Sequence, residues 1–228
     1  MPITLAFDVY GTLIDTAGVT KALESFAGSR AAEFSNLWRS KQLEYSFRRG
    51  LMQNYQTFSV CTKNALDFTA NFLKIGISAA DKQNLLEGYR HLPAFPDVEA
   101  GLRNLASSSF RLFAFSNGPA DDVRALLVNA GIDAFFVDVV SVDEIKSFKP
   151  NPAVYSHFLR RAGACGSEAW LISGNPFDVI GATSAGMRAL WLKRSPDAVF
   201  DPWELQPTAT ATSLLEVGKA ISDTSNQS

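Results

Sequence analysis

Four short stretches of the sequence carry side chains able to attack, ionise or hold a charge. They are Phe7-Asp8-Val9-Tyr10-Gly11-Thr12, Phe115-Ser116-Asn117-Gly118, Ser147-Phe148-Lys149-Pro150 and Ser173-Gly174-Asn175-Pro176-Phe177-Asp178. A carboxylate such as Asp8 serves equally as a turn residue, a metal ligand or a nucleophile. Ser116 supplies a hydroxyl, and Asn117 and Gly118 supply free backbone N–H groups that suit an anion at a helix start. Each stretch also has a plainer reading. Asn117 or Gly118 can cap a helix that has Pro119 at its first position and Asp121 and Asp122 easing its dipole. Asn175 can cap another, with Asp178 as a box-like partner three residues on. Lys149 can be a solvated loop lysine ahead of a helix beginning at Asn151-Pro152. Arg39 lies in Leu37-Trp38-Arg39-Ser40-Lys41-Gln42-Leu43, where it shares a helix face with Gln42 and Leu43, and such arginines are ordinarily surface residues. His91 and His157 are not spaced as ligands or as a nucleophile–base pair, and neither is given a role. Taken singly, the plain readings prevail. Taken together they do not, because Asp8, Ser116, Lys149 and Asp178 each follow a separate expected strand, in order.

Those strands are short apolar runs: Ile3–Phe7, Phe110–Phe115, Val137–Val142, Ala169–Ile172 and Arg188–Leu192. Helical stretches separate them over Ala120–Asn129, Pro152–Ala162 and Pro176–Ala185. Such alternation predicts an α/β fold, a Rossmann-like parallel sheet with helices on both faces. In an open sheet of that kind ligands bind beyond the carboxyl ends of the strands. Residues 15–95 read differently, with helix-length amphipathic pieces such as Ala31–Arg48 and Val60–Lys74 and no convincing strand. The expected organisation is a core domain from residues 1–14 and 96–228, interrupted by a helical cap over residues 15–95. The tail after about Val217 is polar and is expected to fray.

With 46% hydrophobic and 19% charged residues and a net charge of -2, the 228-residue chain has the makings of a large core and no basic block. Charge therefore argues against nucleic acid and anionic membranes as partners. No apolar run approaches membrane-span length. Met1 leads almost directly into a strand without a signal-like segment, which points to a cytoplasmic protein. Cys61 and Cys165 are too few for a disulfide framework and are expected as buried free thiols.

The order of motifs resembles the haloacid dehalogenase superfamily. Its signature is a nucleophilic aspartate at a strand end, a Ser or Thr after the second core strand, a lysine, and an acidic loop. Most members are magnesium-dependent phosphatases or phosphoryl-transfer enzymes with a second aspartate two residues after the first. Here that position is Tyr10, and the acidic loop reads Ser173-Gly174-Asn175. Both departures remove carboxylates that a hard cation favours, and without the acid at position 10 a phosphatase would lack its leaving-group proton donor. They point to the L-2-haloacid dehalogenase branch, which Phe7–Leu13, Trp38–Met52, Phe115–Gly118, Ser147–Tyr155 and Ser173–Asp178 resemble in order. The match over Trp38–Tyr45 lies in the cap, outside the superfamily's shared motifs, and makes the resemblance specific.

The resemblance implies Asp8 as nucleophile, Thr12 as its support, and Arg39 as the cap residue that meets the halide with help from Asn117. It implies Ser116 for the substrate carboxylate and Lys149, Tyr155, Ser173, Asn175 and Asp178 for the rest of the catalytic set. The substrate pocket would draw on Tyr10, Gln42, Leu43, Phe58 and Phe177, with Phe177 standing where tryptophan is expected. The implied reaction converts an (S)-2-haloalkanoate to the (R)-2-hydroxy acid through an aspartyl ester, without metal or other cofactor. A halide leaving group needs no proton donor, so tyrosine at position 10 does no harm. The implied assembly is a homodimer. The rival readings are a magnesium-dependent small-molecule phosphatase of the same superfamily and a binding module without turnover.

Overall fold

In the first strand Leu5 and Phe7 join one hydrophobic cluster and Ala6 joins another, and all three are fully buried. A strand whose alternate side chains are buried on both faces needs cover on both sides, as a parallel sheet flanked by helices provides. The computed structural model, which describes residues 2–225, has that architecture. In chain order it contains β1 (Thr4–Phe7), α1 (Gly18–Ala27), α2 (Ala31–Leu51), α3 (Phe58–Leu73), α4 (Ala79–Gly88) and α5 (Val98–Ala106). There follow β2 (Arg111–Ser116), α6 (Ala120–Asn129), β3 (Asp138–Ser141), α7 (Pro152–Ala162) and β4 (Ala169–Ser173). The chain then forms α8 (Pro176–Ser184), β5 (Arg188–Leu192), β6 (Ala209–Ala211) and α9 (Val217–Ser225).

The sheet order is β3-β2-β1-β4-β5-β6, and every pair is parallel. The chain works outward from β1 to β3 on one side, then returns to the other side of β1 for β4. Connections from β1 and β4 therefore diverge and leave a crevice beyond their carboxyl ends. Phe7 lies level with Ala114 of β2 and Ile172 of β4, so Asp8 and Ser173 emerge side by side.

Helices α1 to α4 form the segment between β1 and α5. The chain leaves and returns at one place, where Asp15 N–H donates to Pro93 O and Phe95 N–H to Leu13 O, both at 2.9 Å. Along α2 the buried residues are Ala31, Phe34, Trp38, Gln42 and Ser46, a stripe with helical spacing. It packs on α3, where Trp38 Nε1 donates to Thr62 O at 2.9 Å. Thr57 caps α3 by accepting from Val60 N–H.

Three expectations need correction. The tail is ordered helix through Ser225, because Val217 and Ile221 bury one side of α9 and a Ser213–Glu216 capping box precedes it; residues 226–228 of that tail lie outside the described residues. Cys61 is buried, but Cys165 is exposed in the turn before β4. The sheet gains a sixth strand at Ala209–Ala211, too short and too small in its side chains to stand out in the sequence. Among the described residues no helix is long and apolar enough to cross a membrane.

Candidate active site

Asp8 sits one residue beyond β1, its N–H donating to Ile172 O across the strand end. Its two carboxylate oxygens have different surroundings. Oδ2 accepts from Thr12 Oγ1 at 2.8 Å, Asn175 Nδ2 at 2.7 Å and Ser173 Oγ at 3.2 Å. Oδ1 accepts from Lys149 Nζ at 3.2 Å. The turn from Val9 to Ile14 brings Thr12 back under Asp8, and Gly11 takes φ +79° there, a conformation that favours glycine. Thr12 Oγ1 in turn accepts from Gly174 N–H at 2.8 Å, which ties the first turn to the one after β4.

Lys149 is 1% exposed and lies among three acceptors: Asp178 Oδ2 at 2.8 Å, Phe115 O at 2.9 Å and Asp8 Oδ1. Those three match its three N–H donors. Burial works against the ammonium, but Asp178 and Asp8 outweigh it and hold its pKa above the ordinary lysine value. Asp178 is fully buried, with Oδ1 taking the Tyr155 hydroxyl at 2.8 Å. Burial pushes its carboxyl up to about 6, against the opposing pull of Lys149. Burial and the Asp178 carboxylate both raise the Tyr155 phenol.

The local capping readings do not hold. Asn175 precedes α8 but gives its side chain to Asp8 Oδ2 and Tyr10 O, and Asp178 gives its own to Lys149 and Tyr155. Pro119, not Asn117 or Gly118, occupies the position before α6, which begins at Ala120. Asn117 Oδ1 instead accepts from Lys149 N–H at 2.9 Å. Lys149 is no solvated loop lysine.

Asp8, Thr12, Lys149, Tyr155, Ser173, Asn175 and Asp178 thus form one hydrogen-bonded network. Arg39 joins it at the backbone of Tyr10, whose carbonyl accepts from Asn175 Nδ2 at 3.1 Å and from Arg39 Nη2 at 3.3 Å. Ser116 ends β2 beside it, its Oγ accepting from Gly118 N–H at 3.1 Å. The Tyr10 ring, 6.0 Å from that of Phe58, helps line a cavity of about 330 Å³ with Gln42, Leu86, Tyr89 and Gly118. Phe177 reaches the helical insert, its ring 5.0 Å from that of Phe47 on α2. Gln42 is wholly buried and accepts from Arg39 Nη1, and Leu43 is half-buried on the same helix with no hydrogen bond or ring contact to the network. One supporting group escaped the sequence reading. Arg194 donates through Nε and Nη2 to Thr12 O at 2.9 and 2.6 Å, and through Nη1 to both oxygens of Asp97 at 2.8 Å. It stands two residues beyond β5, where the strand-end rule that located the other groups would also have reached it.

The arrangement, a strand-end carboxylate held by hydroxyl, amide and ammonium donors, recurs in known proteins. A family model described as hydrolase, haloacid dehalogenase-like hydrolase, matches residues 4–186. The chain belongs to the haloacid dehalogenase-like hydrolases. Among relatives in that family, haloacetate dehalogenase H-2 of Moraxella sp. (strain B) is 36% identical over 83% of this chain and 85% of its own. (S)-2-haloacid dehalogenase 2 of Pseudomonas sp. (strain CBS-3) is 35% identical over 84% of this chain and 83% of its own. The structure of L-2-haloacid dehalogenase from Xanthobacter autotrophicus with chloropropionic acid covalently bound superposes with a TM-score of 0.90 at 28% identity, covering 97% of this chain and 99% of that one.

Within the haloacid dehalogenase-like hydrolases, a magnesium site would need several carboxylate or carbonyl oxygens converging on one point. The carboxylates at the centre of the network are Asp8 and Asp178, and the Lys149 ammonium already lies between them. The residue two beyond Asp8 is a tyrosine. The donor set does not fit a divalent cation, and the phosphatase alternative finds no support in it.

Proposed function

We propose that this enzyme hydrolyses (S)-2-haloalkanoic acids to (R)-2-hydroxyalkanoic acids through an ester formed on Asp8. The observation that carries the reading is the asymmetry of Asp8 beneath Arg39. Three donors pin Oδ2, and Oδ1 has a single contact, with an ammonium already shared among three acceptors.

Oδ1 attacks C2 from behind the carbon–halogen bond, the halide leaves with the bonding pair, and configuration inverts. Nucleophile, substrate carboxylate and departing halide together bring three negative charges into one site. Lys149 offsets one, Arg39 meets the halide with Asn117, and Ser116 with the N–H groups before α6 receives the carboxylate. Tyr10 and Phe58, which line the cavity, supply apolar walls that strengthen these interactions. Water then adds to Cγ of the ester and gives its proton to Asp178, which Lys149 and Tyr155 orient. The bond from Cγ to the ester oxygen breaks, the leaving alkoxide takes the proton held on Asp178, and the remaining water proton goes to solvent. The hydroxy acid therefore carries an oxygen that began on Asp8. The helical insert, residues 15–95, acts as the cap that brings Arg39 to the core formed by 1–14 and 96–228. We place the enzyme in the cytoplasm as a homodimer; sedimentation velocity tests the dimer, and cell fractionation tests the location.

A single turnover in oxygen-18 water tests the chemistry. Chloride release from L-2-chloropropionate with unlabelled product and label retained in Asp8 is expected. Label appearing directly in the hydroxy acid would overturn the ester route.

A further inference from the structure

Gln42 and Thr62 are polar residues on the buried stripes by which α2 and α3 pack together. A buried amide or hydroxyl is costly unless partnered, and these two are partnered with each other. Gln42 Nε2 donates to Thr62 Oγ1 at 2.6 Å, while Gln42 Oε1 accepts from Arg39 Nη1 at 2.6 Å. The direction of this chain is forced. A guanidinium only donates, so Gln42 must turn its oxygen to Arg39 and its NH2 to Thr62. The Thr62 hydroxyl, having accepted, gives its own hydrogen to Phe58 O at 2.9 Å. Thr62 is itself fastened through its carbonyl to the Trp38 indole.

We propose that Thr62 is a positioning residue for dehalogenation, acting through Gln42 to aim the Arg39 guanidinium at the halide leaving C2. The inference rests on the dehalogenase reading of the site. Arginine is long and rich in rotamers, so an aimed guanidinium needs a fixed acceptor behind it. Among the described residues Arg39 has one other hydrogen bond, the longer one to Tyr10 O. Lys149 has its three acceptors already, so the orientation of Arg39 decides how well the halide is received. Gln42 and Thr62 both border the cavity, and Gln42 spends one end of its amide on Arg39 and the other on Thr62.

The test compares Thr62→Val, which keeps the shape and removes the hydroxyl, with Thr62→Ser, which keeps the hydroxyl. The readouts are single-turnover halide release from L-2-chloro- and L-2-bromopropionate, and inhibition by added chloride. Thr62→Val is expected to slow chloride release about tenfold or more, the scale of one unsatisfied buried donor. The loss should be smaller for bromide, the better leaving group, and chloride should inhibit more weakly. Thr62→Ser should restore all three towards wild type. The bromide-to-chloride rate ratio does not depend on how much of a preparation is folded, and Thr62→Ala carries the same expectation should the valine variant not accumulate. An unchanged ratio with unchanged chloride inhibition in the valine or alanine variant would overturn the proposal, as would a serine variant as impaired as valine. A wild-type enzyme that releases neither halide would instead remove the dehalogenase reading, and this proposal with it.

Discussion

Three donors hold one oxygen of Asp8 and a single ammonium meets the other, the one that attacks in the proposed reaction. In the proposed reaction Lys149 must stay charged and Asp178 must lose its proton; the site favours the first and opposes the second. The raised pKa of Lys149 keeps its ammonium into the alkaline range. Asp178, pushed by burial from 3.8 to about 6, accepts a water proton only when ionised. Hydrolysis of the Asp8 ester should therefore rise with pH through about 6, stay level above it, and decline only beyond the ordinary lysine range. Single-turnover ester decay across pH measures this. Stability has the opposite sign at Asp178. The folded protein holds that proton more tightly than the unfolded chain, so this group's contribution falls as pH rises from about 4 to about 6 and is level above.

At the scale of elements, the site depends on how closely two turns approach. Gly174, after β4, lies so near the Gly11 carbonyl that a Cβ there would collide with it. Gly174→Ala should push the turns apart, pull Asn175 off Asp8 Oδ2, and cost about 1–3 kcal/mol. Urea unfolding reads the stability, and halide release reads the site. From the opposite side Arg194 grips the Thr12 carbonyl and Asp97, which also accepts from Leu214 N–H and Ser213 Oγ. Arg194→Met would leave Asp97 without its cation and Thr12 O without two donors. A loss of about 2 kcal/mol or more in urea unfolding is expected, with slower halide release. These elements also show what a sequence displays and what it hides. Strand-end groups such as Asp8, Ser116 and Asp178 are legible because each closes or follows an apolar run at the edge where ligands bind. Helix α5 is less so, because Gly101 interrupts its buried face where Leu214 leaves no room for a Cβ. The role of Thr62 is invisible locally, since a threonine within a helix gains meaning only from the amide that a second helix sets against it.

For the whole molecule, the sheet order alone places the crevice, and the insert brings Arg39 over it. If cations are supplied only by Lys149 and Arg39, halide release should be unchanged by EDTA, whereas a metal-dependent phosphatase would lose its activity to the chelator. A chloride-release assay with and without chelator checks this. The way the insert joins the sheet has a further consequence. Its two ends already form a small antiparallel ladder, with Ile14 paired to Ala94 and flanking bonds on either side. A tight turn joining residues 15 and 93 would extend that ladder and leave every strand of the sheet in register. The backbone of the helical segment thus enters and leaves the scaffold at one seam, while side chains such as Phe47 on Phe177 and Tyr55 on Asp143 lash it down elsewhere. A variant shortened at that seam would keep the path of the six strands and lose those lashings.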